Sequence, residues 1–243
     1  AEYFDIVVIG GGINGSAIAR DASLRGAKAA LIEKDDFASG ASGKTTKLIH
    51  GGIRYLEQLN FKLVYEALRE RAILLRTAPT RIHSLEFIIP VYRHDPRSMF
   101  KMKAGTFLYD MLAGNDNIRC HRTLKKYEVT ALERSIDSRN LQGGVLYCDG
   151  QMDDIRLCLD NAISAYDAGS AVANKVAAVG FAKENGKIIG VEAEDRLNAG
   201  DRFRIRARVV VNATGAWSNR IVKMDEPGSS PITRPTKGIH IVY

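Results

Sequence analysis

The thirty residues FDIVVIGGGINGSAIARDASLRGAKAALIE, numbered 4–33, decide the fold of this chain. A run of β-branched residues predicts a buried strand, and a glycine-rich turn, a helical stretch and a second strand follow it. The turn has the spacing G-x-G-x-x-G at Gly10, Gly12 and Gly15, and Glu33 follows the third glycine by 18 residues. In this setting the spacing indicates a βαβ unit that binds a dinucleotide.

Each residue of this fingerprint has its own physical task. Gly10 makes the tight turn, Gly12 lets a pyrophosphate approach the backbone, and Gly15 lets the helix pack closely on the strand. The pyrophosphate lies at the helix N-terminus, where N–H groups and the helix dipole favour an anion. Glu33 accepts hydrogen bonds from the adenosine ribose. The alternative is a glycine turn without a ligand, and because FAD and NAD share the pattern, these residues leave the cofactor open.

The stretch GASGKTT at residues 40–46 is similar to the triphosphate-binding loop of ATPases, but its spacing is wrong. That loop requires G-x-x-x-x-G-K-[ST], which places the first glycine at position 38, where this chain has Ala38. A charged turn, residues 34–36, also separates the stretch from the preceding strand. We therefore interpret it as something other than an ATPase loop.

Composition narrows the classes of partner. The net charge is +7, from 35 Lys and Arg against 28 Asp and Glu, which favours anionic partners such as phosphorylated metabolites or acidic lipid surfaces. The basic residues are dispersed without a nucleic-acid motif, so no nucleic-acid partner is expected. Cys120, Cys148 and Cys158 have no metal-ligand spacing, and reduced cytosolic thiols and no metal are expected. The apolar run 6–19 is too short to span a membrane and lacks a basic leader.

The rest of the chain reads as a mixture of helices and strands. Asp153 and Asp154 are expected to cap a helix rather than to act as an acid–base pair. Pro90 indicates an edge strand or a bulge. On the helix at 61–75, residues 69–71 and 76 are assigned to the polar face. The helix at 99–112 either packs in a core or lies on an anionic membrane. The predicted helices are 16–25, 61–75, 99–112 and 155–168. The predicted strands are 4–9, 29–33, 85–92, 144–149, 171–179 and 203–211. A further strand, which ends at 191, is predicted to follow a hairpin turn at 184–186.

Four segments in order carry a resemblance to a known family. They are DIVVIGGGINGSAIARDASLRG with Glu33, TTKLIHGGIRYLE, DGQMDDIRL, and VVVNATGAW with KGIHIV. Together they resemble the FAD-dependent glycerol-3-phosphate dehydrogenases of the D-amino-acid-oxidase-like flavoprotein superfamily, over essentially the whole chain. KLIHGGIRYLE is the most specific segment, because a general dinucleotide fold does not need it. The stretch at 37–57 thus resembles the flavin-contacting segment of that family.

The resemblance implies FAD as the cofactor and a set of residues that bind it. The pyrophosphate would lie on the fingerprint loop and on the segment that follows the last strand, and the ribose on Glu33. The implied cofactor-binding residues are Gly10, Gly12, Ile13, Asn14, Gly15, Glu33, Lys34, Ser42, Thr46, Lys47, Leu48, His50, Gly51, Gly52, Val176, Ala213, Thr214 and Gly215.

The resemblance also implies the reaction: sn-glycerol 3-phosphate is oxidised at C2 to dihydroxyacetone phosphate, and hydride passes to the flavin. Arg54 and Tyr55 fall where the family contacts substrate, and a guanidinium offers a fork of donors to phosphate. A neutral histidine suits the role of base near pH 7. His240 is preferred to His50, and each could instead be a hydrogen-bonded structural histidine.

The implied fold is α/β, a Rossmann-like FAD-binding domain interleaved with a mixed-sheet substrate domain. We assign residues 1–82 and 146–218 to the former, and 83–145 and 219–243 to the latter. Since the family extends beyond this length, the FAD-binding site is expected to be largely present and the active site incomplete.

The resemblance also implies three partners: a quinone acceptor, an anionic membrane surface and a second copy of the chain in a homodimer. The implied location is cytoplasmic, on the inner face of the membrane. The alternatives are a glycerophosphate oxidase that uses dioxygen, another amine or hydroxy-acid oxidase, and an inactive FAD-binding fragment.

Overall fold

The computed structural model describes residues 3–198, 200–236 and 238, and the chain divides into two compact units. The first is Ala1–Thr46 with Asp154–Tyr243, and the second is Lys47–Asp153. In chain order the elements are β1 (Tyr3–Ile9), α1 (Ile13–Leu24), β2 (Ala29–Ile32), β3 (Leu48–Ile49), α2 (Phe61–Thr77), β4 (Ile82–Tyr92), α3 (Met99–Ala113), β5 (Arg122–Lys125), α4 (Lys126–Leu132), β6 (Leu141–Met152), α5 (Asp154–Asp167), β7 (Ala171–Ala173), β8 (Val176–Glu184), β9 (Lys187–Asp195), β10 (Arg202–Asn212) and α6 (Ser218–Asp225).

The first unit is built on a six-stranded sheet in the order β7-β2-β1-β10-β9-β8. Strands β7, β2, β1 and β10 are parallel, and β9 and β8 extend the sheet antiparallel. The register pairs Ile9 with Ile32 on one side and with Asn212 on the other. The residues that follow these three strands therefore meet at one edge of the sheet, the carboxyl edge at which such folds bind ligands.

Small residues let two helices lie close to this sheet. Val8 and Leu31 are fully buried, and Ala19 of α1 and Ala162 and Ala165 of α5 pack in the same cluster. Burying a Val or Leu side chain stabilises a fold by roughly 1.5–3 kcal/mol, so the βαβ unit is held mainly by this apolar contact. Its helix α1 starts at residue 13, three residues earlier than predicted, directly after Gly12.

The second unit is a four-stranded antiparallel sheet, in the order β3-β6-β4 with β5 also paired to β6. Helices α2 and α3 pack around Leu68 and Tyr109. Asn60 caps α2 by accepting from the Leu63 N–H at 3.3 Å, and Ser98 caps α3. Helices in the described part of the chain are all too short or too polar to cross a bilayer.

The α/β class is confirmed, and most predicted elements lie within a few residues of their observed bounds. The mixed sheet is that of the first unit, whereas the sheet of the second unit is antiparallel. β4 is an edge strand that contains Pro90, as expected. Asn185 and Gly186 have φ of 50° and 77°, which fits the predicted hairpin turn. The strand predicted at 171–179 is instead two strands, because the chain turns at Lys175 with φ of 58°. Short β3, β5 and α4 were not predicted, since they are too brief to show periodicity.

The compact units do not coincide with the predicted division of the chain. Residues 47–82 and 146–153, predicted with the FAD domain, belong to the second unit, and 219–225 belong to the first. The physical reason is strand pairing: β6 runs from Leu141 to Met152 and pairs along its length with β4, so no boundary falls at 146. The assignment of FAD-binding and substrate roles to segments stays a prediction.

Candidate functional site

The glycine-rich turn of the first unit is shaped by close backbone contacts. Gly10 has φ of 112°, and a Cβ there would lie 2.7 Å from the carbonyl oxygen of Ala213. A Cβ on Gly15 would lie 1.8 Å from the Gly10 carbonyl oxygen, so α1 reaches this position only without a side chain. A Cβ on Gly12 would lie 3.0 Å from Ser42 Oγ. The loop therefore requires three glycines for three different reasons: conformation, helix packing and the approach of a neighbouring group.

Helix α1 begins under this loop without a side-chain cap, because its N-cap residue is Gly12. The Ile13 N–H donates to Ser42 Oγ at 2.9 Å, which brings the segment after β2 against the helix start. Below the loop, the buried Cys158 thiol donates to the Gly11 carbonyl oxygen at 3.4 Å. Burial raises the pKa of this thiol, so it stays protonated near neutral pH and acts as a packing group.

Glu33 is fixed at the end of β2 by two backbone donors. Its Oε2 accepts from the Gly11 N–H at 2.7 Å, and its Oε1 accepts from the Asp35 N–H at 2.8 Å. Each carboxylate oxygen has a second lone pair, so both can still accept from a hydroxyl group. The carboxylate is thus pre-oriented at the carboxyl edge, so a diol that binds there has less side-chain entropy to overcome.

The opposite wall is the segment that follows β10. Asn212 Oδ1 accepts from the Thr214 hydroxyl at 2.7 Å, and its Nδ2 donates to the Ser218 carbonyl oxygen at 3.1 Å. Gly215 has φ of 55°, and no heavy atom of the described residues lies within 4 Å of where its Cβ would be. Asn212 thereby fixes a turn whose glycine faces open space.

These walls enclose a cleft of about 810 Å³, in the size range of cofactor sites. Eleven of the predicted cofactor-binding residues line it: Gly10, Gly12, Ile13, Asn14, Glu33, Lys34, Ser42, Val176, Ala213, Thr214 and Gly215. Gly15 is buried behind the loop as a packing position, and Thr46 is exposed. Sequence reasoning missed other lining residues, among them Asp35, Arg196, Trp217 and Arg220. Trp217 could have been found, because it directly follows the small-residue segment Ala213–Ala216.

The remaining predicted residues lie in the second unit. Lys47 precedes β3 with φ of 59°, Leu48 is in β3, and His50 is exposed. Gly52 has φ of 71°, and the ring of Tyr55 packs over it. Arg54 and Tyr55 are both exposed on the 3₁₀ turn Ile53–Gln58. His240, the preferred base, lies outside the described residues.

A buried ion pair holds the segment His50–Gly52, called the HGG segment below, and sequence analysis did not reveal this pair. Asp149 Oδ1 accepts from Arg71 Nη1 at 2.6 Å, from the Tyr109 hydroxyl at 2.8 Å and from the Gly51 N–H at 3.2 Å. Arg71 is fully buried, so its assignment to the polar face of α2 was wrong. Two exposed charged residues, Arg69 and Glu70, precede it, and only the tertiary structure shows that it points to a carboxylate of β6. A Cβ on Gly51 would lie 2.3 Å from the Tyr109 oxygen, which explains this glycine by packing.

Two tyrosines belong to or adjoin this group: the buried Tyr109, which donates to Asp149, and the partly buried Tyr147, whose ring packs against that of Tyr109. Burial raises the pKa of Tyr147 to about 12, and the Asp149 charge adds to the rise while Arg54 partly offsets it. Burial also raises the pKa of Tyr109. Both phenols are therefore neutral hydrogen-bond donors at any physiological pH, and neither is suited to act as a base.

Comparison with known proteins agrees with the geometry. The family model described as FAD dependent oxidoreductase matches residues 5–243. The chain is 43% identical over 250 residues to a glycerol-3-phosphate dehydrogenase of Synechocystis, covering 98% of this chain and 45% of that protein. It is 40% identical to an alpha-glycerophosphate oxidase of Streptococcus pneumoniae, covering 98% of this chain and 40% of the relative. The chain thus spans less than half the length of these curated relatives.

Among solved structures, the chain is similar to a glycerol-3-phosphate dehydrogenase from Bacillus halodurans that was solved with FAD. The TM-score is 0.72 at 30% sequence identity, and the match covers 93% of this chain and 37% of the other. An L-proline dehydrogenase from P. horikoshii gives a TM-score of 0.73 at 22% identity, which shows a shared fold only.

Proposed function

This chain belongs to the FAD-dependent oxidoreductase family, and from that premise we propose that it is the FAD-binding part of an enzyme that oxidises sn-glycerol 3-phosphate to dihydroxyacetone phosphate. The observation that carries the proposal is the cleft with its glycine loop and oriented Glu33. Two curated relatives at 40% and 43% identity, a dehydrogenase and an oxidase, both have names that specify glycerol phosphate.

The residues of the cleft fit FAD. Gly12 brings no side chain to the start of α1, where a Cβ would lie 3.0 Å from Ser42 Oγ, and a pyrophosphate would be held at this helix N-terminus. Glu33 presents two carboxylate oxygens to a ribose diol. FAD supplies the hydride-accepting isoalloxazine, and the protein supplies binding, orientation and proton transfer.

In the second unit, Arg54 and Tyr55 are the residues that we propose to bind the substrate. Arg54 offers several N–H donors in a planar fork that matches phosphate oxygens, and the Tyr55 hydroxyl adds one more. His50 and His240 are the candidates for the base that removes the C2 hydroxyl proton.

Replacing Arg54 with alanine in the full-length protein tests this function. We expect sn-glycerol 3-phosphate to bleach the flavin absorbance of the wild-type protein under anaerobic conditions. We expect Arg54→Ala to retain FAD but to need more than tenfold higher substrate for half-bleaching, since a charge-assisted hydrogen bond contributes about 1.5–3 kcal/mol. Arg93→Ala, an exposed arginine on the same unit, is the control. Loss of FAD from Arg54→Ala would assign Arg54 to the cofactor or to folding, and an unbleached wild type would refute the substrate.

The electron acceptor is a separate proposal. We propose a quinone at an anionic membrane surface on the cytoplasmic side, supported by α3, whose Phe100, Phe107 and Met111 are 79%, 64% and 61% exposed. Their spacing puts them on one helical face, beside the exposed Lys101 and Lys103, as in helices that lie on acidic lipid. The oxidase relative supports dioxygen as the alternative.

The identity of the electron acceptor is tested by measuring how fast the flavin of the full-length protein, once reduced by substrate, is reoxidised by quinone or by dioxygen. We expect fast flavin reoxidation by a soluble quinone and little peroxide in air, together with sedimentation on anionic but not neutral vesicles. Stoichiometric peroxide with no response to quinone would establish the oxidase instead.

A further inference from the structure

Trp217 is a partly exposed aromatic residue inside the cleft and is the one tryptophan of the sequence. It ends the 3₁₀ turn Gly215–Trp217 that follows β10, and it is 38% exposed. One edge of its ring packs on the backbone of Gly40, where a Cβ would lie 3.0 Å from the indole. The indole is therefore held in place by the chain while part of its surface remains open to the cleft.

The neighbours of the indole define which end of the cleft it occupies. Lys34 Nζ lies 5.4 Å from the ring centroid, and Lys34 directly follows Glu33. Lys34 also pairs with Asp35 at 3.1 Å, so its ammonium group lies between the indole and this carboxylate, and Asp35 pairs in turn with Arg196 at 3.1 Å. Because the acid at the end of β2 receives the adenosine ribose in this fold, the indole lies at the adenosine end.

The chemistry of this end suits a flat aromatic base. A nucleobase stacked on an aromatic side chain gains roughly 1–3 kcal/mol, and a cation beside the stack adds to the attraction. We infer that Trp217 forms an aromatic wall on which the adenine ring of the cofactor stacks, on the face of the indole opposite the one that the Lys34 ammonium covers. The inference rests on the proposed FAD binding and deepens it. It assigns the contribution of Trp217 to FAD affinity to the adenosine half of the cofactor rather than to the flavin half.

The test compares ligands that contain different halves of FAD. Full-length apoprotein is titrated with FAD, with ADP, which carries the adenosine half, and with FMN, which carries the flavin half. The signal is the tryptophan fluorescence of the wild type minus that of Trp217→Phe, which isolates Trp217 from any other tryptophan. We expect quenching by FAD and ADP and none by FMN.

Affinity measured by equilibrium dialysis supplies the second readout. We expect Trp217→Leu to bind ADP and FAD about tenfold more weakly and FMN unchanged, while Trp217→Phe keeps most of the affinity because it keeps an aromatic face. Tyr166→Leu is the matched control, since Tyr166 is 66% exposed on α5 of the same unit and does not line the cleft. It should bind all three ligands as the wild type does.

Equal ADP affinity of Trp217→Leu and the wild type, or quenching by FMN as strong as by ADP, would overturn the inference. If Trp217→Leu does not fold, Trp217→Phe becomes the test variant. Its affinity for ADP must then exceed that of the double variant that combines Trp217→Phe with Lys34→Ala. A wild type that keeps no FAD after gel filtration would refute the proposed cofactor, whereas ADP binding that depends on Trp217 would still support the adenine wall. The two failures are therefore distinguishable.

Discussion

Replacing Gly15 with alanine is expected to disrupt the first unit and abolish tight FAD binding. The added methyl would lie 1.8 Å from the Gly10 carbonyl oxygen and 3.3 Å from Ala213 Cβ, and the first of these distances is far below any real contact. Either α1 moves away from β1, or the Gly10 turn opens. The first change removes the apolar contact of α1 with the sheet, and either change alters the geometry between the glycine turn and the helix N-terminus that we propose to face the pyrophosphate.

The expected magnitude follows from the cost of overpacking. Such insertions cost about 1–3 kcal/mol, and more where backbone is the obstacle, so the thermal midpoint should fall by roughly 2–4 °C for each kcal/mol in a chain of this size. FAD affinity should fall at least tenfold. Differential scanning calorimetry and flavin titration measure the two effects independently, so the stability result stands whatever the cofactor proves to be.

Gly105→Ala is the matched control, because Gly105 is also a helix-interior glycine. A Cβ there meets nothing within 4 Å among the described residues. Its replacement should leave FAD binding unchanged and raise the stability slightly, since alanine favours a helix by about 1 kcal/mol over glycine. A Gly15→Ala protein as stable as Gly105→Ala would contradict the close packing of α1 on the turn.

Removing the Asp149 carboxylate is expected to destabilise the second unit strongly. Asp149→Ala leaves the guanidinium of Arg71, 0% exposed, without its counter-charge. It also removes the acceptor of the Tyr109 hydroxyl and of the Gly51 N–H. Breaking a buried ion pair from one side costs about 3–5 kcal/mol, because a buried charge remains uncompensated. Urea unfolding of the purified variant measures this loss.

A double variant separates the charge effect from the hydrogen bonds. Arg71→Met in the Asp149→Ala background removes the unpaired charge, and a hydrophobic replacement of a buried pair is often close to neutral. We therefore expect the double variant to be more stable than Asp149→Ala alone. Asp149→Asn should fall between Asp149→Ala and the wild type, since an amide oxygen still accepts from Tyr109 and Gly51.

The control for Asp149 is Asp137→Ala, whose partner Arg139 is exposed. It should show no measurable change, because water screens an exposed pair. If Asp149→Ala unfolds at the same urea concentration as Asp137→Ala, the ion pair is not what stabilises the HGG segment. If the double variant is less stable than Asp149→Ala, Arg71 contributes through packing rather than through its charge.

The glycine loop and the cleft beside it were largely predictable because their signals are local. A βαβ unit needs a strand, a turn and a helix within thirty residues, and the constraints on Gly10, Gly12 and Gly15 arise from that short segment itself. The family resemblance placed Ala213 near the same loop, at the end of an apolar strand. Parallel register then brings the segment next to Gly10.

Other features depend on contacts between residues distant in sequence. Arg71 and Asp149 are 78 residues apart, and nothing near Arg71 distinguishes it from the solvated charges beside it. The compact units differ from the predicted domain division because β6 pairs with β4 along its whole length, a pairing that no window of sequence contains. Trp217 and Lys34 are likewise neighbours only in the folded chain.

The sequence by itself determined the α/β class, the glycine loop and the acid at the end of β2, because each depends on backbone geometry and hydrophobic periodicity over short distances. Only the tertiary structure decided which charges are buried, where the units divide, and which aromatic residue faces the cleft. Those outcomes depend on desolvation, which is a property of a side chain's final surroundings and not of its place in the chain.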